Sequence, residues 1–260
     1  MRLPLLAFAL FATLAPRAAG ATATPITGEK RVIMQLTSIF ENSTTELRYD
    51  YCENIHDRRG YTFGFAGFTS GTYDGAELLK EYLRLKPDNN PLAKYLPAFE
   101  AIDKAPHDSE GRNPDTRGLD GFPEAIKTCA TDPLFRQAQH NIADKLYWAP
   151  SQKEAANLGV KHAITRGQLY DAYINHGEDG ALKLAGTATK NAGGSPKDGT
   201  DEKQWLAAFL EARLAVLKAD KTWAESVDRV RVYQKLLASG NVDLKPPISV
   251  TCYGDSFTLK

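Results

Sequence analysis

The sequence has no excess of charge of either sign, and it contains no motif for a metal or a nucleotide. Lysine and arginine together number 32, as do aspartate and glutamate, so the formal net charge is zero. A nucleic-acid-binding protein would need a surplus of basic residues, which excludes that class. The 5 histidines show neither an H-E-x-x-H pattern nor a Cys/His ligand spacing, so we expect no metal. G-x-S-x-G, Walker and G-x-G-x-x-G motifs are also absent, and we expect no cofactor.

Long apolar runs are absent except for one near the amino terminus, at residues 3–14. Arg2 precedes this run and small residues follow it, which is typical of a secretory signal peptide and too short for a membrane anchor. We therefore predict a signal peptide over 1–21, cleaved after Ala21, with Ala23 as the alternative. The protein would be secreted and extracellular, with no membrane partner.

The remaining chain, 22–260, is long enough for one large domain or for two lobes that share a core. We interpret it as a single unit and expect a monomer. Loss of Arg2 and Arg17 with the signal peptide leaves 30 basic residues against 32 acidic ones. This acidic excess suits a cationic partner but is too small to identify one.

Cysteine is scarce, with only Cys52, Cys129 and Cys252. In an exported chain, three cysteines permit one disulfide and one free thiol. A catalytic cysteine would need a histidine in an electropositive pocket, and the sequence shows no such arrangement. Three pairings are possible, and we favour Cys52–Cys129, which would stabilise the fold by roughly 3–5 kcal/mol in the loop-entropy account.

Helical periodicity dominates the chain. Its apolar stripes predict a first helix containing Ile33, Leu36 and Phe40, followed by helices over 74–86, 91–102, Leu134 to Leu146, 163–176, 202–219 and 226–238. Alternating residues predict short strands at 47–51 and 61–69 and one further strand within 249–259. The polar segments 107–122 and 187–200 are expected to be loops. The fold class is therefore α+β, mostly helical, with one small sheet.

Two carboxylates stand out because their surroundings differ. Glu41 ends the first helix and follows apolar residues. The apolar surface that these residues form and the helix dipole both favour the neutral form of its carboxyl group. Asp57 lies beside Arg58 and Arg59, whose charges favour the ionised form. Such a pair is what a glycosidase needs for acid and base catalysis. On this pattern alone, however, a solvated surface glutamate and an ordinary turn aspartate remain the commoner interpretations.

Charged residues also interrupt two apolar helix faces. Asp171 falls on the apolar face of 163–176, and Arg213 falls on that of 202–219. A buried charge without a counter-charge is costly, so we predict that the two side chains face each other, with Arg229 as a third candidate. The pair would be either purely structural or involved in holding Glu41.

Several motifs resemble those of the chitosanases of glycoside hydrolase family 46. The matching segments include SIFENSTTEL (38–47), HDRRGYTFGFAGFTSGTYD (56–74), NPLAKYLPAF (90–99), PLFRQAQ, GQLYDAYINHG, FLEAR, GNVDLKPP and YGD. The resemblance implies a lysozyme-like fold of two mainly helical lobes around a cleft, with an antiparallel sheet in one lobe. It also implies inverting endo-hydrolysis of the β-1,4 links of chitosan and its oligosaccharides. A lysozyme-like peptidoglycan hydrolase and a non-catalytic chitosan-binding module are the alternatives.

The resemblance further implies individual roles in the first half of the chain. Glu41 would be the general acid and Asp57 the general base, with Thr62 positioning the attacking water. Arg59 and Tyr61, in the same motif, would contact the substrate.

Other roles follow from the later motifs. Asp74 would bind an amino sugar on the non-reducing side of the cut. Asp171, Arg213 and Arg229 match the family's buried charge network behind the acid. Asp220 and Glu225 are possible contributors to binding that the motifs do not assign.

The sequence departs from the family pattern beside the base. His56 and Arg58 stand where family members often have glycine. If the backbone needs a positive φ at these positions, His56 and Arg58 must adopt it, although residues other than glycine rarely do. A second cation beside Asp57 could also repel a cationic substrate.

Overall fold

The structure is a computed structural model that describes residues 28–219, 223 and 226–260. The predicted signal peptide and the unassigned candidates Asp220 and Glu225 lie outside these residues. Within the described ranges, no helix is both long enough and apolar enough to cross a membrane.

Helices dominate the described chain, as predicted. They are α1 (Gly28–Asn42), α2 (Asp74–Leu85), α3 (Leu96–Lys104), α4 (Phe122–Cys129), α5 (Pro133–Ala143), α6 (Ala149–Asn157), α7 (Ala163–Ala192), α8 (Glu202–Ala219) and α9 (Val227–Ala238). A π-helical turn, Asp144–Trp148, joins α5 to α6, and 3-10 turns occupy Ala93–Tyr95 and Pro196–Asp198. The sequence did not predict α4 or α6, which are short and have a proline in the first turn.

Two antiparallel sheets complete the fold. β1 (Cys52–Glu53), β2 (Thr62–Phe63) and β3 (Phe68–Thr69) pair in that order, whereas β4 (Ile248–Cys252) and β5 (Asp255–Leu259) form a hairpin. The strand predicted over 47–51 is wrong: this segment turns, with the N–H of Tyr49 donating to the carbonyl of Leu47, and pairing begins at Cys52. The carboxyl-terminal segment forms two strands because Tyr253 and Gly254 both have positive φ, as a tight hairpin turn requires.

Helix α7 extends well beyond the predicted 163–176. Gly177, with φ of 69° and ψ of 173°, kinks the helix, and the second half buries Ala181, Leu184, Ala185 and Ala188. The loop predicted over 187–200 is therefore wrong over 187–192, whose polar residues lie on the exposed side of a helix. A single apolar stripe cannot be followed across such a kink.

Helix α1 packs against α7 and the carboxyl-terminal hairpin within the main core. The approach to α7 is close at Gly167, where a Cβ atom would lie 3.0 Å from Ile33 Cγ1 and 3.1 Å from Tyr233 Oη. A second apolar cluster, which includes Trp205 and Phe209, lies among α6, α7 and α8. The end of α1 is thus fixed beside helices that are distant in sequence.

The predicted Cys52–Cys129 disulfide is not formed, and all three cysteines are free thiols. α4, which ends at Cys129, does pack against β1, which begins at Cys52. Burial raises the pKa of the Cys52 thiol to about 12 and that of Cys252 to about 11. These thiols are therefore protonated and unreactive in the folded protein.

Candidate active site

Glu41 lies at the carboxyl end of α1, as the sequence predicts. Ile39 and Phe40 before it are buried, whereas the Glu41 side chain keeps 32% of its accessible surface. The chain leaves the helix through Ser43, which has a positive φ and whose N–H donates to the carbonyl of Ile39. The packed helix therefore holds the backbone of Glu41 while its carboxyl reaches the surface.

A cavity of about 160 Å³ adjoins this carboxyl. Its lining combines charged, aromatic and small side chains from four parts of the chain: Glu41, Asn42, Tyr51, Ile55, Arg59, Thr62, Ala66, Gly67, Tyr147 and Ile174. Ile55, Ala66 and Ile174 supply apolar surface of the kind predicted beside Glu41. The structure thus brings together Glu41, Arg59 and Thr62, which the sequence had selected separately.

Asp57 lies in the loop between β1 and β2, and Arg59 holds it on both oxygens. The backbone N–H of Arg59 donates to Asp57 Oδ1 at 3.1 Å, and its Nε donates to Oδ2 at 2.6 Å. Because Arg59 also lines the cavity, it connects Asp57 to the cavity that Glu41 borders. Both oxygens of Asp57 are therefore oriented by a single residue.

Arg58, by contrast, turns away from Asp57. Its Nη2 lies 3.3 Å from Asp108 Oδ2, and Arg112 Nε donates to the same oxygen at 3.0 Å. Hydrogen bonds from the Arg112 backbone and side chain hold the pKa of Asp108 at about 2. The expectation that both arginines flank the Asp57 carboxylate is therefore wrong for Arg58.

The backbone at the two positions that depart from the family pattern is strained. His56 and Arg58 have φ of 58° and 73°, in the left-handed region that glycine adopts without a steric penalty. The loop that carries Asp57 thus keeps a glycine-like shape with non-glycine residues.

This strain predicts different stabilities for two replacements at one position. Arg58→Gly and Arg58→Ala both remove the exposed ion pair with Asp108, but only glycine tolerates the positive φ. We expect Arg58→Gly to have a free energy of unfolding about 1 kcal/mol larger than Arg58→Ala. Urea unfolding of the two variants measures this difference, and an Arg58→Ala variant as stable as Arg58→Gly would contradict the strain argument.

Two further residues of the motif occupy different environments. Thr62 is 6% exposed and lines the cavity, and its buried hydroxyl has no hydrogen-bond partner among the described residues. Tyr61 does not line the cavity: its ring packs 6.0 Å from that of Phe122, centroid to centroid. The structure therefore places Thr62 at the cavity and Tyr61 against the core.

Asp74 is the first residue of α2, and one of its carboxylate oxygens accepts hydrogen bonds from nearby backbone and side-chain groups. Oδ1 accepts hydrogen bonds from the N–H groups of Thr69 and Gly75 and from the hydroxyl of Thr72. Among the described residues, none donates to Oδ2. Burial raises the pKa of Asp74 to about 6, although the hydrogen bonds and the charge of Arg59 oppose this change.

Tyr147 is a site residue that the sequence analysis missed. It lies in the π-helical turn, lines the cavity, and has a pKa that burial raises, with further contributions from the charges of Asp74 and Glu41. A π turn has no periodic pattern of apolar residues by which the sequence could predict it. The one feature of the sequence that pointed to this position was the aromatic pair Tyr147-Trp148.

The predicted charge pair is present and extends to the candidate acid. Arg213 Nη1 donates to Asp171 Oδ2 at 2.5 Å, and Arg229 Nη2 donates to Asp171 Oδ1 at 2.9 Å. Arg229 Nη2 also donates to Glu41 Oε1 at 2.5 Å. Asp171 and Arg213 are fully buried, and Arg229 is 3% exposed. The network thus joins Glu41, Asp171, Arg213 and Arg229 across α1, α7, α8 and α9.

The other two nitrogens of Arg213 donate hydrogen bonds as well. Its Nε donates to His176 Nε2 at 3.0 Å, and its Nη2 donates to Asn175 Oδ1 at 2.9 Å. Burial and the charge of Arg213 lower the pKa of His176 to about 3, which keeps this histidine neutral and able to accept. Burial acts to raise the pKa of Asp171, but Arg229 and Arg213 together hold it below its ordinary value.

Known proteins match both the sequence and the architecture. The sequence profile of glycosyl hydrolase family 46 matches residues 35–248. A chitosanase from Bacillus subtilis (strain 168) is 43% identical over 244 residues, which cover 89% of this chain and 85% of that protein.

Solved structures agree. The crystal structure of a native chitosanase from Bacillus subtilis MY002 superposes with a TM-score of 0.81 at 42% identity, over 89% of this chain and 98% of that one. A Gynuella sunshinyii chitosanase in complex with chitotetraose gives a TM-score of 0.80 at 38% identity, over 91% and 99% of the two chains. The lysozyme-like fold expected from the sequence is thereby confirmed. By sequence and by structure, this chain belongs to glycosyl hydrolase family 46.

Proposed function

We propose that this protein is a secreted chitosanase that cuts the β-1,4 links within chitosan chains and inverts the anomeric centre. One observation carries the proposal: in a family 46 chain, the Glu41 carboxyl borders a cavity and is held from behind by Arg229. The similar proteins are chitosanases, and one of them was solved with chitotetraose, which supports the same substrate class here. The predicted signal peptide supports export.

In the proposed reaction Glu41 is the general acid. Its Oε1 accepts from Arg229, so the transferable proton belongs on Oε2. That proton passes to the glycosidic oxygen as the bond between this oxygen and the anomeric carbon breaks. Arg229 orients the carboxyl, and the buried Asp171 and Arg213 hold Arg229.

Asp57 is the proposed general base. It takes a proton from a water molecule whose oxygen bonds to the anomeric carbon on the opposite face of the sugar, which inverts the configuration. Arg59 fixes both oxygens of Asp57, and we assign the positioning of the water to the Thr62 hydroxyl, which has no partner among the described residues. After one turnover Glu41 is ionised and Asp57 is protonated, and proton exchange with solvent restores both.

Two other functions can be separated from this one by direct assay. A peptidoglycan hydrolase would lyse bacterial cell walls, and a non-catalytic module would bind chitosan without cutting it. We expect a rapid loss of viscosity and the release of reducing ends from chitosan, with little lysis of cell walls. Lysis without chitosan hydrolysis, or binding without new reducing ends, would refute the proposal.

The raised pKa of Asp74 predicts a pH dependence of substrate affinity. Asp74 is charged above about pH 6 and neutral below it, so its attraction for the ammonium groups of chitosan weakens as the pH falls through 6. The substrate amines only become more protonated in this direction, so the loss must come from the protein. We expect KM for a chitosan oligomer to rise below pH 6 in the wild type and to change less in Asp74→Asn. Parallel KM curves for the two proteins would contradict this role.

A further inference from the structure

Tyr73 is an exposed aromatic residue immediately before Asp74. It keeps 48% of its surface accessible and is the one aromatic among the large apolar side chains that are exposed in the described part of the chain. The ring does not line the cavity beside Glu41. Its exposure is therefore not explained by the catalytic groups described above.

One face of this ring is covered by a histidine. The rings of Tyr73 and His107 are nearly parallel, with centroids 4.6 Å apart and an angle of 18° between their planes. His107 is half-buried, and its Nδ1 lies 2.8 Å from the carbonyl oxygen of Ala105, to which it donates. The histidine thus supports the back of the tyrosine ring, and the opposite face is open.

The backbone holds Tyr73 in an unfavourable conformation. Its φ is 73° and its ψ is −34°, values that a bulky residue rarely adopts. The N–H of Asp74 donates to Thr72 O and the N–H of Glu77 donates to Tyr73 O, which fixes this turn at the start of α2. Glycine would adopt the same turn without strain, so the backbone does not require an aromatic side chain here. Strain of this kind is concentrated at functional sites.

The ring lies on the same rim as the proposed base. The loop that supplies His107 also supplies Asp108, the partner of Arg58 beside Asp57. Asp74, the next residue after Tyr73, accepts a hydrogen bond from the N–H of Thr69, which pairs with Thr62 of the cavity lining. A sugar chain bound along this rim would therefore pass Asp74 and the open face of Tyr73.

We propose that the Tyr73–His107 stack forms an accessory subsite that binds a protonated amino sugar of the chitosan chain on the open face of Tyr73. The proposal rests on the function proposed above. An ammonium group over an aromatic ring is attracted by the negative potential of its face, and the ring also offers apolar surface to the sugar. Asp74 adds a negative charge next to the platform, so the pair favours glucosamine over its neutral N-acetylated form.

The kinetic test compares Tyr73→Ala, Tyr73→Gly and Tyr73→Phe with the wild type on a glucosamine hexamer. We expect KM to rise about two- to fivefold in the alanine and glycine variants, as the loss of one exposed cation–π contact predicts. The effect should fall on KM rather than kcat, because the platform touches no reacting atom. Tyr73→Phe keeps the ring face and should resemble the wild type. An unchanged KM in Tyr73→Ala would overturn the proposal.

Stability separates this role from a structural one. Tyr73→Gly should melt at a higher temperature than Tyr73→Ala because it relieves the positive φ, yet both should lose the same affinity. A KM that follows the melting temperature across the variants would mean that Tyr73 acts through folding, and would overturn the subsite. Leu182→Ala, which removes another exposed apolar side chain outside the cavity lining, serves as the matched control and should leave KM unchanged.

A binding measurement isolates the preference for an ammonium group and does not depend on turnover. Calorimetry in a Glu41→Gln background should show that Tyr73→Ala weakens binding of the glucosamine hexamer more than binding of the N-acetylglucosamine hexamer. Equal losses for both sugars would overturn the preference for a cation. If the wild-type protein did not hydrolyse chitosan, the proposed function would be refuted. The calorimetric comparison would still show whether Tyr73 binds the amino sugar.

Discussion

Glu41→Gln is expected to lower turnover on chitosan by about 10²–10⁴-fold, the usual contribution of general acid catalysis. The amide has nearly the same shape and its oxygen can still accept from Arg229 Nη2, so the fold and substrate binding should persist. An amide cannot deliver the proton that the leaving oxygen needs. The measurement is the initial rate of reducing-end release, accompanied by a melting curve and by calorimetry with a chitosan oligomer. Turnover near the wild-type value would remove Glu41 from the mechanism.

The other catalytic assignments are tested beside it. Asp57→Asn should lose activity on a similar scale because the attacking water loses its base. Thr62→Ala should lose less, since only the position of that water changes. If Asp57→Asn stayed active while Glu41→Gln did not, the base would have to be another carboxylate.

The stereochemistry of the first product distinguishes the two mechanisms open to a carboxylate pair. With Asp57 as a base, one displacement inverts the β-link, and proton NMR should show the α-anomer first. With a carboxylate nucleophile, two displacements restore the β-anomer. A β-anomer that appears first would therefore make Asp57, or another carboxylate, a nucleophile.

Breaking the buried network should cost the protein roughly 3–5 kcal/mol of unfolding free energy. Asp171→Asn leaves Arg213 and Arg229 without their shared counter-charge in a site that excludes water. Arg213→Ala leaves Asp171 with one guanidinium partner and removes the donor to His176. We expect both variants to unfold at much lower urea concentrations and to lose activity, because Arg229 would no longer be held against Glu41.

Arg48→Ala is the matched control for this experiment. Arg48 forms an ion pair with Asp50 in which both side chains are nearly half exposed, and such pairs contribute little to stability. Its unfolding midpoint should stay close to that of the wild type. Unchanged midpoints in Asp171→Asn and Arg213→Ala would show that these charges are not essential to the fold.

The sequence by itself determined the helical character of the chain, its family and the residues that the catalytic proposal names. Apolar periodicity placed most of the helices, and it revealed Asp171 and Arg213 because a charge on an apolar stripe must find a partner. The motifs around Glu41 and Asp57 identified the family, because they combine specific residue types at fixed spacing within short segments. These signals are local, and each can be read from one segment at a time.

The tertiary structure decided where the remaining side chains go. Arg58 turns to Asp108, Tyr61 packs against Phe122, and Tyr147 enters the cavity through a π turn. Each of these positions depends on a contact partner or on a backbone irregularity, and neither produces a periodic pattern in the sequence. The same is true of the kink at Gly177 and of the stack that supports Tyr73. Local patterns specify which segments form helices, whereas the direction of a polar or aromatic side chain depends on long-range neighbours that only packing brings into contact.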